Sequence, residues 1–181
     1  MKTMMQFLKP CLGPCFLLAT GVGVAAAEGV SPPDRSQGRR IDFILASPHL
    51  ADRCRKAVVV NEEATDSLSD HYPVVADFDP TGDGETPGDT LRVITFNVLK
   101  GFMDSAERAD AAVSWLKARQ PSVVALQELN GFTPERLQRE ARKWGHEHVV
   151  LLKEDGSSTG LTSSHPITGV KRFREDHWHG L

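Results

Sequence analysis

Two short polar clusters in this chain contain the side-chain types that bind divalent metals and transfer protons. Asn97 and Glu128 each stand at the end of a short apolar run. An amide oxygen beside a carboxylate suits a hard cation such as Mg²⁺, which takes oxygen ligands and keeps several waters. Asp70 and His71 lie next to each other where a polar loop meets an apolar run, and they supply a carboxylate and a titratable imidazole. The plainer interpretation of Asn97 and Glu128 is a turn or cap at a strand end.

A further acidic side chain, Asp42, interrupts the apolar segment Ile41–Leu45. A carboxylate in such a segment is costly to bury unless it is paired. An imidazole that transfers protons needs a partner to fix its tautomer, and Asp42 is the obvious candidate partner for His71. The alternative is a surface aspartate on an edge strand.

The segments around Asn97 and Glu128 predict a β-α-β unit. Leu91–Val98 and Ser122–Gln127 have the composition of strands, and the residues between them repeat apolar side chains at helical spacing. Strands joined through a helix in this way are parallel, and adjacent or nearly so. We therefore expect Asn97 and Glu128 at the same edge of the sheet, where open α/β sheets place their ligands.

The other predicted elements follow from turn and capping signals. Asp104 with Glu107 resembles a capping box at the start of the first helix. Thr133 followed by Pro134 begins a second helix, which Gly145 ends. Further strands are predicted at Arg40–Ser47, Lys56–Asn61, Tyr72–Phe78, His148–Leu152 and Gly160–Ser164.

Taken together, these residues resemble the signature blocks of the endonuclease/exonuclease/phosphatase family, the metal-dependent phosphoesterases similar to deoxyribonuclease I. The four blocks are Thr95–Asn97, Gln127–Glu128, Arg40–Leu45 and Ser69–Val74. The resemblance covers most of residues 40–78 and 91–168. It implies an α/β fold that is part of a four-layer α/β/β/α sandwich, with two sheets flanked by helices.

The resemblance also implies a role for each site residue. Glu128 would bind the metal, Mg²⁺ or another divalent cation such as Mn²⁺, and Asn97 beside it would hold metal or phosphate. His71 would contact the scissile phosphate or help to activate the attacking water, with Asp42 orienting its ring and Asp70 near the metal. The implied reaction is in-line attack of water on a phosphoester.

The chain departs from the family pattern in block order and in content. The blocks that come last in the family come first here, and residues 79–90 join the two halves. The family's Gly-Asp-x-Asn block, which supplies two groups at the reaction centre, does not occur in this sequence. The chain is therefore predicted to be an impaired enzyme, a non-catalytic relic or binding module, or one half of an assembly in which a partner or second copy supplies the missing strands.

Residues 1–27 are predicted to be a signal peptide, which implies a secreted or periplasmic protein with no membrane span after cleavage. Lys2 and Lys9 precede an apolar run, and the small residues 25–27 form a cleavage site. Lipoprotein processing at Cys15 is the alternative, which Pro14 disfavours. The remaining parts are a flexible lead-in (28–39), the C-terminal-type block (40–78), a polar linker (79–90) and the N-terminal-type block (91–181).

Charge narrows the choice of partner only slightly. The whole chain has a formal net charge of −3, and removal of the leader makes it −5 because two lysines and no acidic residue are lost. An acidic chain disfavours nonspecific nucleic acid binding, although a local basic groove stays open as an alternative. The substrate is therefore predicted only as a phosphoester. Cys54 alone remains after cleavage, so no intrachain disulfide forms.

Overall fold

The computed structural model describes residues 3–8, 16–20, 42–81, 90–102, 105–152 and 156–170. The strands are β1 (Thr3–Leu8), β2 (Phe16–Thr20), β3 (Leu45–Ala46), β4 (Cys54–Val59), β5 (Val74–Phe78), β6 (Leu91–Asn97), β7 (Val123–Gln127), β8 (His148–Leu151) and β9 (Gly160–Ser163). The helices are α1 (Pro48–Ala51), α2 (Glu63–Asp66), α3 (Ala106–Arg119) and α4 (Pro134–Lys143), with a 3₁₀ turn at Lys100–Phe102. The predicted lead-in, the cleavage site at 25–27 and linker residues 82–89 lie outside the described residues.

The main sheet has six strands in the order β4-β5-β6-β7-β9-β8. Strands β6 and β7 are parallel neighbours, as the β-α-β prediction requires, and the other neighbouring pairs are antiparallel. A second sheet is small and antiparallel, with the order β1-β2-β3. The expected α/β class is confirmed, whereas the four-layer sandwich stays a prediction.

The predicted strand at Arg40–Ser47 is wrong for residues 42–44 and for Ser47, while Arg40 and Ile41 lie outside the described residues. Within the described residues, only Leu45 and Ala46 form a strand, and they pair with β2 rather than with the main sheet. Ile44 is 2% exposed, so this segment is held by side-chain packing where it lacks a strand ladder. Pro48 then starts α1, because its ring fixes a backbone angle that suits the first helical position.

The start of α3 also differs from the prediction by one residue. The N-cap is Ser105, whose hydroxyl oxygen accepts a hydrogen bond from the backbone N–H of Arg108 at 3.1 Å. Asp104, the predicted cap, lies outside the described residues. Glu107 still contributes at this end, because its carboxylate accepts a hydrogen bond from the Ser105 hydroxyl at 2.9 Å.

Side chains alternate between the two faces of the main sheet and form two apolar cores. One face packs against α3 and α4, with a core that includes Ile94, Phe96, Val124, Leu126, Ala112, Leu116, Leu137 and Ala141. The other face carries Val93, Ala125 and Leu161, which pack with Ile44 and with Leu50 of α1. Burial of such side chains is the main stabilising term. Among the described residues, no helix is long and apolar enough to span a membrane.

Candidate active site

The predicted site residues meet at one edge of the main sheet because of strand register. Val74 at the start of β5 lies opposite Thr95 of β6, and Asn97 at the end of β6 lies opposite Gln127 of β7. The beginning of β5 and the ends of β6 and β7 therefore share an edge. Residues 69–71, just before β5, come from the segment that precedes the linker and reach this same edge.

Asn97 and Glu128 contact each other directly. The Asn97 Nδ2 donates a hydrogen bond to Glu128 Oε1 at 3.1 Å, and Asn97 Oδ1 accepts one from the backbone N–H of Leu99 at 3.0 Å. Asn97 is 8% exposed, so its amide is held inside the protein. The other Glu128 oxygen, Oε2, accepts from the backbone N–H of Lys100 at 3.2 Å. These bonds fix the carboxylate at the end of the parallel strand pair.

The backbone around this pair lies in the left-handed region. Glu128 has a φ of 57°, and in the turn after β6 Leu99, Lys100 and Phe102 have φ values of 49°, 53° and 56°. This conformation is unfavourable for residues other than glycine, and such strain concentrates at functional sites. Here the turn has a specific result, because it points the Lys100 N–H at the Glu128 carboxylate.

His71 and Asp42 form the second pair at this edge. The His71 Nδ1 lies 2.7 Å from Asp42 Oδ2, and their side chains are only 17% and 16% exposed. This hydrogen bond to Asp42 is the main cause that raises the pKa of the His71 ring, burial opposes it, and the negative charges of Asp42, Asp70 and Glu128 add to it. The effect of Glu128 on this ring indicates that the two polar clusters are electrostatically close.

Asp70 occupies the exposed side of the site. Its Oδ1 accepts a hydrogen bond from the Ser69 hydroxyl at 3.3 Å, and the same hydroxyl oxygen accepts from the backbone N–H of His71 at 3.2 Å. Ser69 is 5% exposed, so it anchors the loop while Asp70 faces outwards. All five predicted site residues are thus brought to the same sheet edge.

Arg108 contacts both loops of the site, although no sequence pattern predicted a role for it. The Arg108 Nη1 donates to the carbonyl oxygens of Leu68 and Val98, both at 2.8 Å, and Nη2 donates to that of Leu99 at 2.9 Å. The sequence contains only a weak indication that Arg108 has a special role. Arg108 is a basic residue in the first turn of a helix, where the helix dipole favours acidic ones.

The donor set suits a metal only if the ion keeps most of its waters. Within the residues that the structure describes, no group of three or more His, Cys, Asp or Glu side chains could hold a metal ion. Each Glu128 oxygen accepts one hydrogen bond, which leaves one lone pair on each for a ligand. Mg²⁺ is commonly bound through one or two carboxylates plus waters and substrate phosphate, so this carboxylate with Asn97 fits such a site.

A cavity of about 490 Å³ lies elsewhere, between α3 and α4. Its walls are largely apolar, and they include Phe102, Leu116, Leu126, Leu129, Phe132 and Trp144. None of the five predicted site residues lines it. The chemistry-bearing side chains and this cavity are therefore separate features of the molecule.

Comparison with known proteins identifies no relative of this chain. No protein-family model, no curated protein and no solved structure matches the chain. The family resemblance therefore depends on the signature residues themselves.

Proposed function

We propose that this chain is a secreted, metal-dependent phosphoester hydrolase of the endonuclease/exonuclease/phosphatase type, in which water attacks a metal-bound phosphoester. The single observation that carries the proposal is the meeting of Asn97 and Glu128 with Asp42, Asp70 and His71 at one sheet edge. These residues come from two halves of the chain that are separated by a polar linker. Such convergence is unexpected for residues that serve only as caps or turns.

His71 supplies the proton chemistry in this proposal. Asp42 accepts the Nδ1 hydrogen and so fixes the tautomer, which leaves Nε2 for proton exchange with water or for contact with a phosphate oxygen. The raised pKa of His71, caused mainly by the hydrogen bond to Asp42, favours the protonated ring. A protonated ring suits contact with an anionic phosphate, and its neutral form suits activation of the attacking water.

Glu128 and Asn97 would hold the divalent cation, Mg²⁺ or Mn²⁺. The cation would neutralise charge on the phosphate oxygens and on the leaving group. The Lys100 N–H and the Asn97 amide orient the Glu128 carboxylate toward that position. Asp70, on the exposed side, would lie near the cation.

The proposed function extends to the architecture of the fold and to the family block that this chain lacks. The six-stranded sheet with α3 and α4 would form part of a four-layer sandwich whose two halves are permuted in the chain. The Gly-Asp-x-Asn block of the family is missing, so two groups of the reaction centre would have to be replaced. We therefore expect weak turnover compared with complete members of the family.

The direct test is metal-dependent hydrolysis of generic phosphodiesters and phosphomonoesters by the full chain and by residues 28–181. With Mg²⁺ or Mn²⁺ present, we expect hydrolysis that Glu128→Gln and His71→Asn each reduce by about 10²-fold or more. Glu147→Gln is the matched control, because Glu147 is an exposed carboxylate paired with Arg142. Absence of hydrolysis with either cation would exclude catalysis by this chain alone.

A non-catalytic relic or binding module is the alternative function, and the missing Gly-Asp-x-Asn block favours it. This alternative predicts no hydrolysis, weakly cooperative unfolding and no stabilisation by divalent metal. An increase in the midpoint of thermal unfolding with Mg²⁺ that Glu128→Gln abolishes would contradict it, because a ligand that binds only the folded state stabilises that state.

The missing strands also predict an assembly, with a partner or a second copy of the chain supplying them. Sheet edges without neighbours favour pairing with another chain. Light scattering after size-exclusion chromatography measures the mass in solution. A monomer that shows hydrolysis would contradict this version of the proposal.

A further inference from the structure

We infer that Arg108 is a positioning residue that sets the distance between the two halves of the candidate active site. Its guanidinium group bonds the carbonyl oxygen of Leu68 in one loop and those of Val98 and Leu99 in another. Leu68 lies just before Asp70 and His71, and Val98 directly follows Asn97. One side chain therefore ties together the loops from the two sides of the linker.

The bond to Leu99 reaches the metal-binding half through two further contacts. The Leu99 N–H donates to Asn97 Oδ1 at 3.0 Å, and Leu99 begins the left-handed turn that presents the Lys100 N–H to Glu128. Movement of the Leu99 carbonyl would therefore shift both Asn97 and the Glu128 carboxylate. On the other side, movement of Leu68 would shift the loop that carries His71.

The geometry favours an arginine over a lysine at this position. Two nitrogens of one planar group reach three carbonyl oxygens at 2.8 to 2.9 Å, while the guanidinium carbon lies 5.2 Å from the centre of the Phe102 ring. A lysine has one charged nitrogen on a flexible stem, and it cannot hold the same three oxygens in a fixed plane. Arg108 lies in the first turn of α3, where its backbone N–H bonds the Ser105 cap, so the start of the helix anchors the residue.

The first experiment measures the electrostatic coupling between the two halves without using activity. The pKa of the His71 ring is followed by NMR in the full chain, with and without Glu128→Gln. In the wild-type background we expect removal of the Glu128 charge to lower the His71 pKa, because that negative charge contributes to raising it. In an Arg108→Gln background we expect most of that decrease to be lost, because the interaction weakens as the two groups separate.

Arg119→Gln is the matched control. Arg119 lies on the same helix, stacks on Trp115 at 3.9 Å and bonds Glu62, but it contacts neither loop of the site. This variant should keep the wild-type decrease in the His71 pKa. The buried His146 ring, which contacts the Thr162 hydroxyl and the Pro121 carbonyl, reports whether each variant is folded.

An unchanged decrease in folded Arg108→Gln would overturn the inference. If Arg108→Gln fails to fold, Arg108→Lys replaces it, since lysine keeps the charge but loses the three-carbonyl geometry. Arg108→Lys should also lose most of the coupling, and wild-type coupling in that variant would overturn the inference equally.

The catalytic consequence rests on the proposed function and is measured separately. If the chain hydrolyses phosphoesters, Arg108→Gln should lower kcat by about 10²-fold with a smaller change in KM, because misplacing groups by about 1 Å has an effect of that size. An inactive wild-type chain would contradict the proposed function, whereas the coupling experiment would still decide the role of Arg108. An active chain whose kcat is unaffected by Arg108→Gln would contradict that role.

Discussion

Two histidines, His71 and His146, are driven toward opposite protonation states by their surroundings. The hydrogen bond to Asp42 raises the pKa of His71, whereas burial lowers the pKa of His146. His146 is 1% exposed, with Nδ1 2.7 Å from the Thr162 hydroxyl and Nε2 2.7 Å from the carbonyl of Pro121. The His71 ring is therefore suited to proton exchange, whereas the His146 ring serves to stabilise the fold.

For His71, the raised pKa predicts a stabilising effect at low pH. The ring binds its proton more tightly in the folded state, so the effect is fully present below the unfolded value of about 6.5 and is lost as pH rises through the folded pKa. The free energy of unfolding, measured against pH for wild type and Asp42→Asn, checks this. The free energies of unfolding of the two proteins should converge at alkaline pH. A difference that stays constant with pH would contradict the raised pKa of His71.

For His146, the contribution to stability changes with pH in the opposite direction. The folded state favours the neutral ring, so its contribution is present above about pH 6.5 and is lost as pH falls through the folded pKa. Replacing His146 by Leu should cost about 1–3 kcal/mol at pH 8 for the unsatisfied buried groups. In urea unfolding this cost should shrink as the solution becomes acidic. A cost that grows with acidity would show that the ring is charged when folded.

At the scale of elements, the turn between β6 and α3 is the part most sensitive to backbone change. Gly101 has a φ of 63°, and a Cβ there would collide with the backbone of Asn130. Gly101→Ala should therefore destabilise the protein by more than the roughly 1–2 kcal/mol that left-handed backbone costs a residue with a Cβ. It should also displace the neighbouring Lys100 N–H from Glu128.

Gly145→Ala provides the control for backbone strain without a collision. Gly145 has a φ of 92°, and a Cβ there meets nothing within 4 Å. Urea unfolding of both variants separates the cost of backbone strain from the cost of the collision. Equal decreases in the free energy of unfolding would show that the contact with Asn130 is unimportant. In the Gly101 variant alone, NMR should report faster exchange of the Lys100 amide.

The boundaries of the strands and helices were largely predictable from the sequence, because the residues that mark them act locally. Alternating and apolar runs marked the strands, and Thr133 followed by Pro134 marked the start of α4. The strand at Arg40–Ser47 was overpredicted because the same apolar pattern can pack through side chains without a partner strand. Propensity describes a segment, whereas ladder formation depends on what lies beside it.

At the scale of the whole molecule, the described cores begin at Ile44 and extend to Ile167. Within the described part of residues 1–27, β1 and β2 belong only to the small sheet, where β2 pairs with two residues of β3. Residues 28–181 should therefore unfold with nearly the same midpoint as the full chain. Thermal denaturation of both forms checks this, and a large loss in the shorter form would make residues 1–27 part of the fold.

The sequence by itself determined the β-α-β unit, the parallel pair β6 and β7, and hence the shared edge of Asn97 and Glu128. It also nominated Asp42 as the partner of His71, from the cost of burying an unpaired carboxylate. Periodicity, capping and burial preferences act over a few residues, so they can be read along the chain. They specify elements and candidate groups, although they do not fix distances.

Only the tertiary structure decided how the two halves meet. The antiparallel pairing of β5 with β6 brings His71 near Glu128, and Arg108 bonds both loops across 40 residues of sequence. The left-handed turn at Leu99–Phe102 likewise has no clear local signal, because the conformation is unfavourable for three of its four residues, all but Gly101. Such features exist where packing and long-range hydrogen bonds outweigh local preference, and that balance is set only in the folded chain.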